Sequence, residues 1–207
     1  MSANWAEDNL NTIRTLMERA GVYRRALAPI AIAVGILGLA AASLAEAMGW
    51  SGQGRFAGYW LGVAGLGLAL ALFLVRRQAM RENEEIFSPP TRRVAQALAP
   101  MLLAGLALGV LEVLDARAER DSVRLIALWM VFYGGALHGA AFFMRRGLRW
   151  LGWIFVFFGG ILLFFHELGS LEGVAKNAHW LMGWAFGLNH LIYGVYLKIT
   201  AEPMDEE

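Results

Sequence analysis

Six long apolar runs alternate with short, arginine-rich polar stretches along this chain, at residues 26–48, 56–75, 94–114, 123–144, 148–165 and 178–197. A run of roughly 18 to 25 apolar residues is long enough, as a helix, to cross a hydrocarbon layer about 30 Å thick. In lipid the backbone must satisfy its own hydrogen bonds, which leaves helices or closed barrels, and the ten-residue alternation of a barrel strand is absent. The pattern therefore predicts an all-α polytopic membrane protein, a bundle of six transmembrane helices spanning 26–199. A polar segment, 1–25, precedes it and a short acidic tail, 200–207, follows it.

Composition agrees with that class and excludes an ordinary soluble domain: 58% of the 207 residues are hydrophobic, 17% are charged, and there are 24 glycines and 8 tryptophans. Charge adds orientation. Of the 18 Lys and Arg residues, thirteen lie before the first span, at the even-numbered connections or just after the sixth span, and Arg55, Arg117, Arg120, Arg124 and Lys176 lie at the odd-numbered connections. Because basic residues near span ends are retained in the cytoplasm, six spans with both termini in the cytoplasm of a bacterial inner membrane satisfy the rule throughout. The absence of cysteine removes disulfides, thiolate metal sites and cysteine nucleophiles from consideration.

Residues 1–25 contain no apolar core before a small-residue cleavage site, so the first span is expected to serve as the insertion signal. Within them Leu10, Ile13, Met17 and Ala20 fall on one helical stripe with polar residues opposite, which predicts an amphipathic helix. Asn4 and Glu7 have capping-box spacing, and Arg19, Arg24 and Arg25 suit the negative end of the helix dipole. Such a helix either lies on the cytoplasmic leaflet or docks a cytoplasmic protein partner. The longest connection, 76–93, mixes five arginines with three glutamates and carries Pro89 and Pro90, which suits a helical extension, a turn and a restart. No aromatics interleave with its arginines, so nucleic acid is not an expected partner; the lipid bilayer is.

The start of the chain carries a resemblance. Ile13, Arg14, Met17, Glu18, Arg19 and Ala20, followed by Pro29 opening an apolar run, resemble the IRxxMERA signature of a family of uncharacterised six-span bacterial membrane proteins. Genes of that family often sit beside a small winged-helix regulator. The small-residue and glycine pattern that usually follows the signature is missing here. The resemblance implies membrane location and a regulatory neighbour, and it adds weight to the N-terminal helix as a docking surface.

Two histidines interrupt otherwise apolar runs with a shared spacing, Met130-x4-Gly135-x2-His138 and Met182-x4-Gly187-x2-His190. His138 lies seven residues from Arg145 and His190 eight from Lys198, about 10 and 12 Å if both runs continue as helices. At matching depth on parallel spans, with Asn189, Tyr133 and Tyr193 nearby in sequence, the two imidazoles have the geometry of a bis-histidine haem b site, a proton site or plain interhelical hydrogen bonds. The pairs Gly58–Gly62, Gly105–Gly109, Gly135–Gly139 and Gly183–Gly187 provide four GxxxG faces, which suit a compact monomer, a homo-oligomer or a membrane-protein complex alike.

A second set lies toward the outer rim, where Glu112, Asp115, His166 and His179 are candidate metal ligands. Arginines interleave with these acids, so a salt-bridged rim competes with the metal reading. No HExxH, GxSxG, P-loop or dinucleotide fingerprint occurs. Together these features point to a non-catalytic sensor, accessory or regulatory subunit acting through its cytoplasmic face. The alternatives are a haem-binding or quinone-linked redox protein using His138 and His190, and a small transporter.

Overall fold

The computed structural model describes residues 27–50, 53–81, 89–114, 121–144, 146–171 and 173–200. The N-terminal amphipathic segment, Asp115 and the acidic tail beyond Thr200 lie outside the described residues. Among the described residues, five helices are long and apolar enough to cross a membrane: α1 (Leu27–Ala47), α2 (Gln53–Arg81), α3 (Pro89–Leu114), α4 (Ser122–Ala140) and α5 (Arg146–Glu167). A sixth helical run follows a short 3-10 turn at Val174–Asn177 and has three parts, α6 (Ala178–Met182), a π-helical stretch (Gly183–Leu188) and α7 (Asn189–Ile199). The fold is thus an all-helical membrane bundle, as the six-run pattern predicts.

Two elements differ from the sequence expectation. The sixth run is not regular: over Gly183–Leu188 the backbone takes the wider i→i+5 register. This stretch holds Gly183 and Gly187, and both press on α1 so closely that a Cβ would lie 2.6 Å from Ala42 Cβ and 2.8 Å from Leu39 N, respectively. The fourth run is apolar to Met144, but α4 ends at Ala140 and the chain turns through residues 141–144 before α5 starts. Phe142 and Phe143 are exposed in that turn. Their apolar character hides the reversal, since hydropathy cannot separate a lipid-facing turn from a lipid-facing helix.

Consecutive helices pack antiparallel. The Tyr59 hydroxyl of α2 donates to the Ala41 carbonyl of α1 (2.6 Å), and Gly58 and Gly109 place α2 against the opposite end of α3. Gly134 of α4 meets Gly152 of α5 backbone to backbone, and Gly159 meets Ala127 and Met130. The last run returns against the first: Gly35 and Gly38 of α1 touch Gly187 and Leu191, and Gly194 touches Ala28 and Ile32. The Leu27 end of α1 and the Ile199 end of α7 consequently lie at the same end of the bundle. Half of the most apolar window of α4 is buried, against 11% for α2 and for α3, so α4 forms the core, with its own Ile126 and Phe155 of α5 fully enclosed.

Asp121 starts α4 with its side chain accepting from the Arg124 amide at 3.0 Å, an aspartate N-cap that satisfies one of the helix's orphan donors. Proline opens α3, where the missing N–H costs no intrahelical bond.

Candidate functional site

His190 is 7% exposed and lies on α7, two residues beyond the π-helical stretch. Its Nδ1 bonds the Phe186 carbonyl, which can only accept, so Nδ1 carries the proton. The neutral ring then presents a bare Nε2, and Tyr133 of α4 donates its hydroxyl to it at 2.6 Å. The result is a directed chain, Tyr133 O–H to His190 Nε2 and His190 Nδ1–H to Phe186 C=O, that ties α4 to the last helical run. The side chain of Asn189 donates to the Ala185 carbonyl at 2.8 Å. Two carbonyls of the π-helical stretch thus accept from side chains four residues later. Phe155 and Phe186 pack against the ring of Tyr133, at centroid distances of 5.1 and 5.4 Å.

His138 occupies a different place. It lies in the last turn of α4, because the helix ends at Ala140 rather than running on toward Arg145. Tyr133, the partner of His190, is five residues earlier on the same helix, about 7 Å deeper at the helical rise. The two imidazoles are therefore not at matching depth, and the tight turn at 141–144 is the reason. Their surroundings differ too. The ring of His138 meets Phe142 and Trp153 edge-on at 5.8 and 5.3 Å, and its buried Nδ1 has no hydrogen-bond partner. The ring of His190 meets Tyr133 and Phe155. A metal or haem iron reaching Nε2 of His190 would have to displace the Tyr133 hydroxyl.

The described outer-rim candidates, Glu112, His166 and His179, do not form one group either. His179 is 5% exposed, and both of its nitrogens are engaged: Nδ1 accepts from the Trp60 indole at 3.1 Å and Nε2 donates to the Trp50 carbonyl at 2.9 Å. Phe56, Tyr59 and Trp60 surround the ring, making an aromatic latch between the α1–α2 turn, α2 and α6. His166 pairs through Nε2 with Asp121 at 2.6 Å, which joins the end of α5 to the start of α4. Glu112 sits half-buried on α3. Among the described residues, no group of three or more His, Cys, Asp or Glu side chains is arranged to hold a metal ion.

Several of these partners escape sequence reasoning. Tyr133 is legible only as a neighbour of His138, whereas the fold gives it to His190. Asp121 has a signal, an aspartate directly before an apolar helical run. Nothing in the spacing of Trp50 and Trp60 marks them as partners of a histidine 119 residues beyond Trp60. Arg149, whose guanidinium lies 5.2 Å from the centre of the Phe142 ring, is legible only as one basic residue among several.

These elements define a polytopic helical membrane bundle in which two histidines, His179 and His190, bridge helices. Neither protein-family models, curated proteins nor solved structures match the chain.

Proposed function

We propose that this chain is a non-catalytic inner-membrane protein, a sensor, accessory or regulatory subunit that works through its cytoplasmic face. The observation that carries the reading is the engagement of the buried histidines. His190 and His179 each use both ring nitrogens to hold helices together, which leaves neither of these two rings an open general base or a free ligand nitrogen, whereas His138 keeps an unpartnered Nδ1. The helix ends bearing Arg77, Arg81, Arg92, Arg93 and Lys198 gather at the end of the bundle where α1 begins and α7 finishes, in keeping with a cytoplasmic placement of that end. Residues 1–25 would emerge there, and the likeness of their IRxxMERA stretch to a family with a regulatory gene neighbour favours docking over passive adsorption.

The test is site-specific photo-crosslinking in cells, with the crosslinker placed in turn at Met17 on the apolar stripe and at Asn11 off it. The reading expects one defined protein adduct from Met17 and none from Asn11. Lipid adducts alone from Met17 would sink the docking role. Unaided turnover of a substrate by the purified protein, or a Soret band in its absorption spectrum, would sink the non-catalytic reading in favour of redox chemistry.

The Tyr133–His190 bond gives the redox or proton-handling alternative its best support. A tyrosine–imidazole pair can pass a proton or meet a quinone carbonyl, and π-helical turns recur at functional sites. Under that alternative Tyr133→Phe abolishes activity in proteoliposomes while leaving the bundle folded.

A further inference from the structure

His138 is the intramembrane histidine that the helix-bridging bonds leave unexplained. Its Nδ1 is buried and unpartnered, out of reach of anything outside the bundle, so the N–H of this half-buried ring falls at Nε2, the nitrogen that can face outward. His138 and Arg149 flank the same ring, Phe142, the imidazole edge-on with centroids 5.8 Å apart and the guanidinium 5.2 Å from the ring centre. Among the described residues the ion pairs are Arg124 with Glu167 and His166 with Asp121, and Arg149 belongs to neither. Two N–H-bearing side chains thus border one aromatic ring at the α4–α5 turn, with Arg145 and Arg146 adjoining in sequence.

Apolar surface leads away from this spot along α5. Trp150, Trp153, Phe157 and Phe164 recur at three-, four- and seven-residue steps on one helix face, and all four are more than half exposed. From Trp150 to Phe164 the stripe runs about 21 Å, longer than the hydrocarbon depth of one leaflet. A cationic hydrogen-bonding corner at the end of a span, continuous with an exposed aromatic stripe running into the bilayer, matches an amphiphile with an anionic head and a hydrocarbon tail.

We infer that the corner formed by His138, Phe142, Arg149 and Trp153 binds the phosphate headgroup of an anionic phospholipid, whose acyl chain lies along the aromatic stripe of α5. Arg149 supplies the charge and His138 a directional N–H. Basic pockets between helices at headgroup depth select phosphate in this way. The inference needs only the membrane location of the bundle, so it stands or falls separately from the regulatory role proposed above.

The experiment is native mass spectrometry of the full-length protein released from detergent, titrated with phosphatidylglycerol or with phosphatidylcholine of the same acyl chains. The wild type is expected to retain one phosphatidylglycerol at least about fivefold more tightly than phosphatidylcholine, the effect of one basic side chain at the membrane surface. Arg149→Gln should abolish that preference, and His138→Phe, which keeps a ring between Phe142 and Trp153, should reduce it about threefold. Trp153→Leu should weaken both lipids alike. Arg93→Gln removes a charge from α3 and should leave the preference intact; if it lowers binding as much as Arg149→Gln, only bulk charge is at work and the site is refuted. Equal affinity for the two lipids would also refute it. So would displacement by millimolar glycerol phosphate, which would reassign the corner to a water-soluble phosphate.

Discussion

The helices of this bundle are held together in two ways. Along α1 against α6–α7, and along α4 against α5, glycines bring backbone onto backbone: Gly35, Gly38, Gly187 and Gly194 at one seam, Gly134, Gly152 and Gly159 at the other. Helices α2 and α3 are attached differently. Gly62 and Gly65 meet nothing within 4 Å, Gly58 only touches Val113, and α2 is held instead by the Tyr59 hydroxyl on Ala41 and the Trp60 indole on His179. Trp129 of α4 reaches α3 by donating to the Gly105 carbonyl at 2.8 Å, and its ring fills the space beside Gly109. Between helices in lipid there is no hydrophobic drive to associate, so attraction comes from close packing and from hydrogen bonds. Each seam here relies mainly on one of those two. The packed seams bring backbone onto backbone, while α2 and α3 are joined by directional bonds and by side chains packed at Gly109.

The strongest way to break this comparison is to make the same substitution on both sides. In Gly187→Ala the new Cβ would sit 2.8 Å from the Leu39 backbone nitrogen, where no side-chain rotation relieves the clash. Overpacking of that kind costs about 1–3 kcal/mol and occasionally more. Gly62→Ala meets open space and should be neutral or stabilising by less than about 1 kcal/mol through lower helix entropy. Equilibrium unfolding by steric trapping in bicelles reads both values. Equal costs would dissolve the distinction between the seams.

A smaller effect separates the two intramembrane histidines. Tyr133→Phe leaves the His190 Nε2 acceptor buried without its donor, at an expected cost of about 1–2 kcal/mol, and a double-mutant cycle with His190→Leu should recover about 0.6–1.7 kcal/mol of coupling. His138→Phe removes a buried atom that has no protein partner, so in lipid-free detergent it should cost no stability and gain up to about 1 kcal/mol. If His138→Phe proves the costlier change, the division between a bridging and an unbridged histidine is wrong.

The latch on α2 comes next in size. Trp60→Phe deletes the indole donor to His179 but keeps the aromatic contacts, so the global cost should be near about 0.6 kcal/mol. Its clearer signature is local. Hydrogen exchange should quicken in α2 and α3 and stay unchanged in α4 and α5, because weakly tied elements open below the global unfolding energy. Uniform acceleration through all helices would mean that the bundle is one cooperative block.

The sequence made the class of fold legible, and the reasons are physical: apolar length and charge alternation act over whole spans and tolerate local irregularity. They do not reach the register of a single turn. The apolar residues Phe142 and Phe143 conceal the end of α4, and with it the true depth of His138. The matched spacing around His138 and His190 is therefore a likeness in sequence without a likeness in place, since one helix stops two residues past its histidine and the other continues for nine. Glycine spacing has the same limit. It identifies where a helix has a smooth face, while only the neighbouring helix decides whether that face receives a backbone, as at Gly187, a tryptophan ring, as at Gly109, or nothing, as at Gly62.

The smallest predicted effect lies at the end of the bundle where α4 begins, and it extends the same contrast to charge. Asp121 sets the scale there, since one carboxylate oxygen caps α4 and the other meets His166 at 2.6 Å, so Asp121→Ala should cost about 1 kcal/mol, mostly through the lost cap. The Arg124–Glu167 pair bridges the same two helices with a single 3.5 Å contact, and its side chains are 60% and 58% exposed. Long exposed side chains lose conformational freedom when they pair and are screened by salt, so Arg124→Gln should shift stability by less than about 0.5 kcal/mol, and that shift should vanish at high ionic strength. Thermal unfolding of both variants at low and high salt would decide the matter. A salt-insensitive loss in Arg124→Gln would mean that this end of the α4–α5 seam depends on ion pairing rather than on the glycine contacts deeper in the same pair of helices.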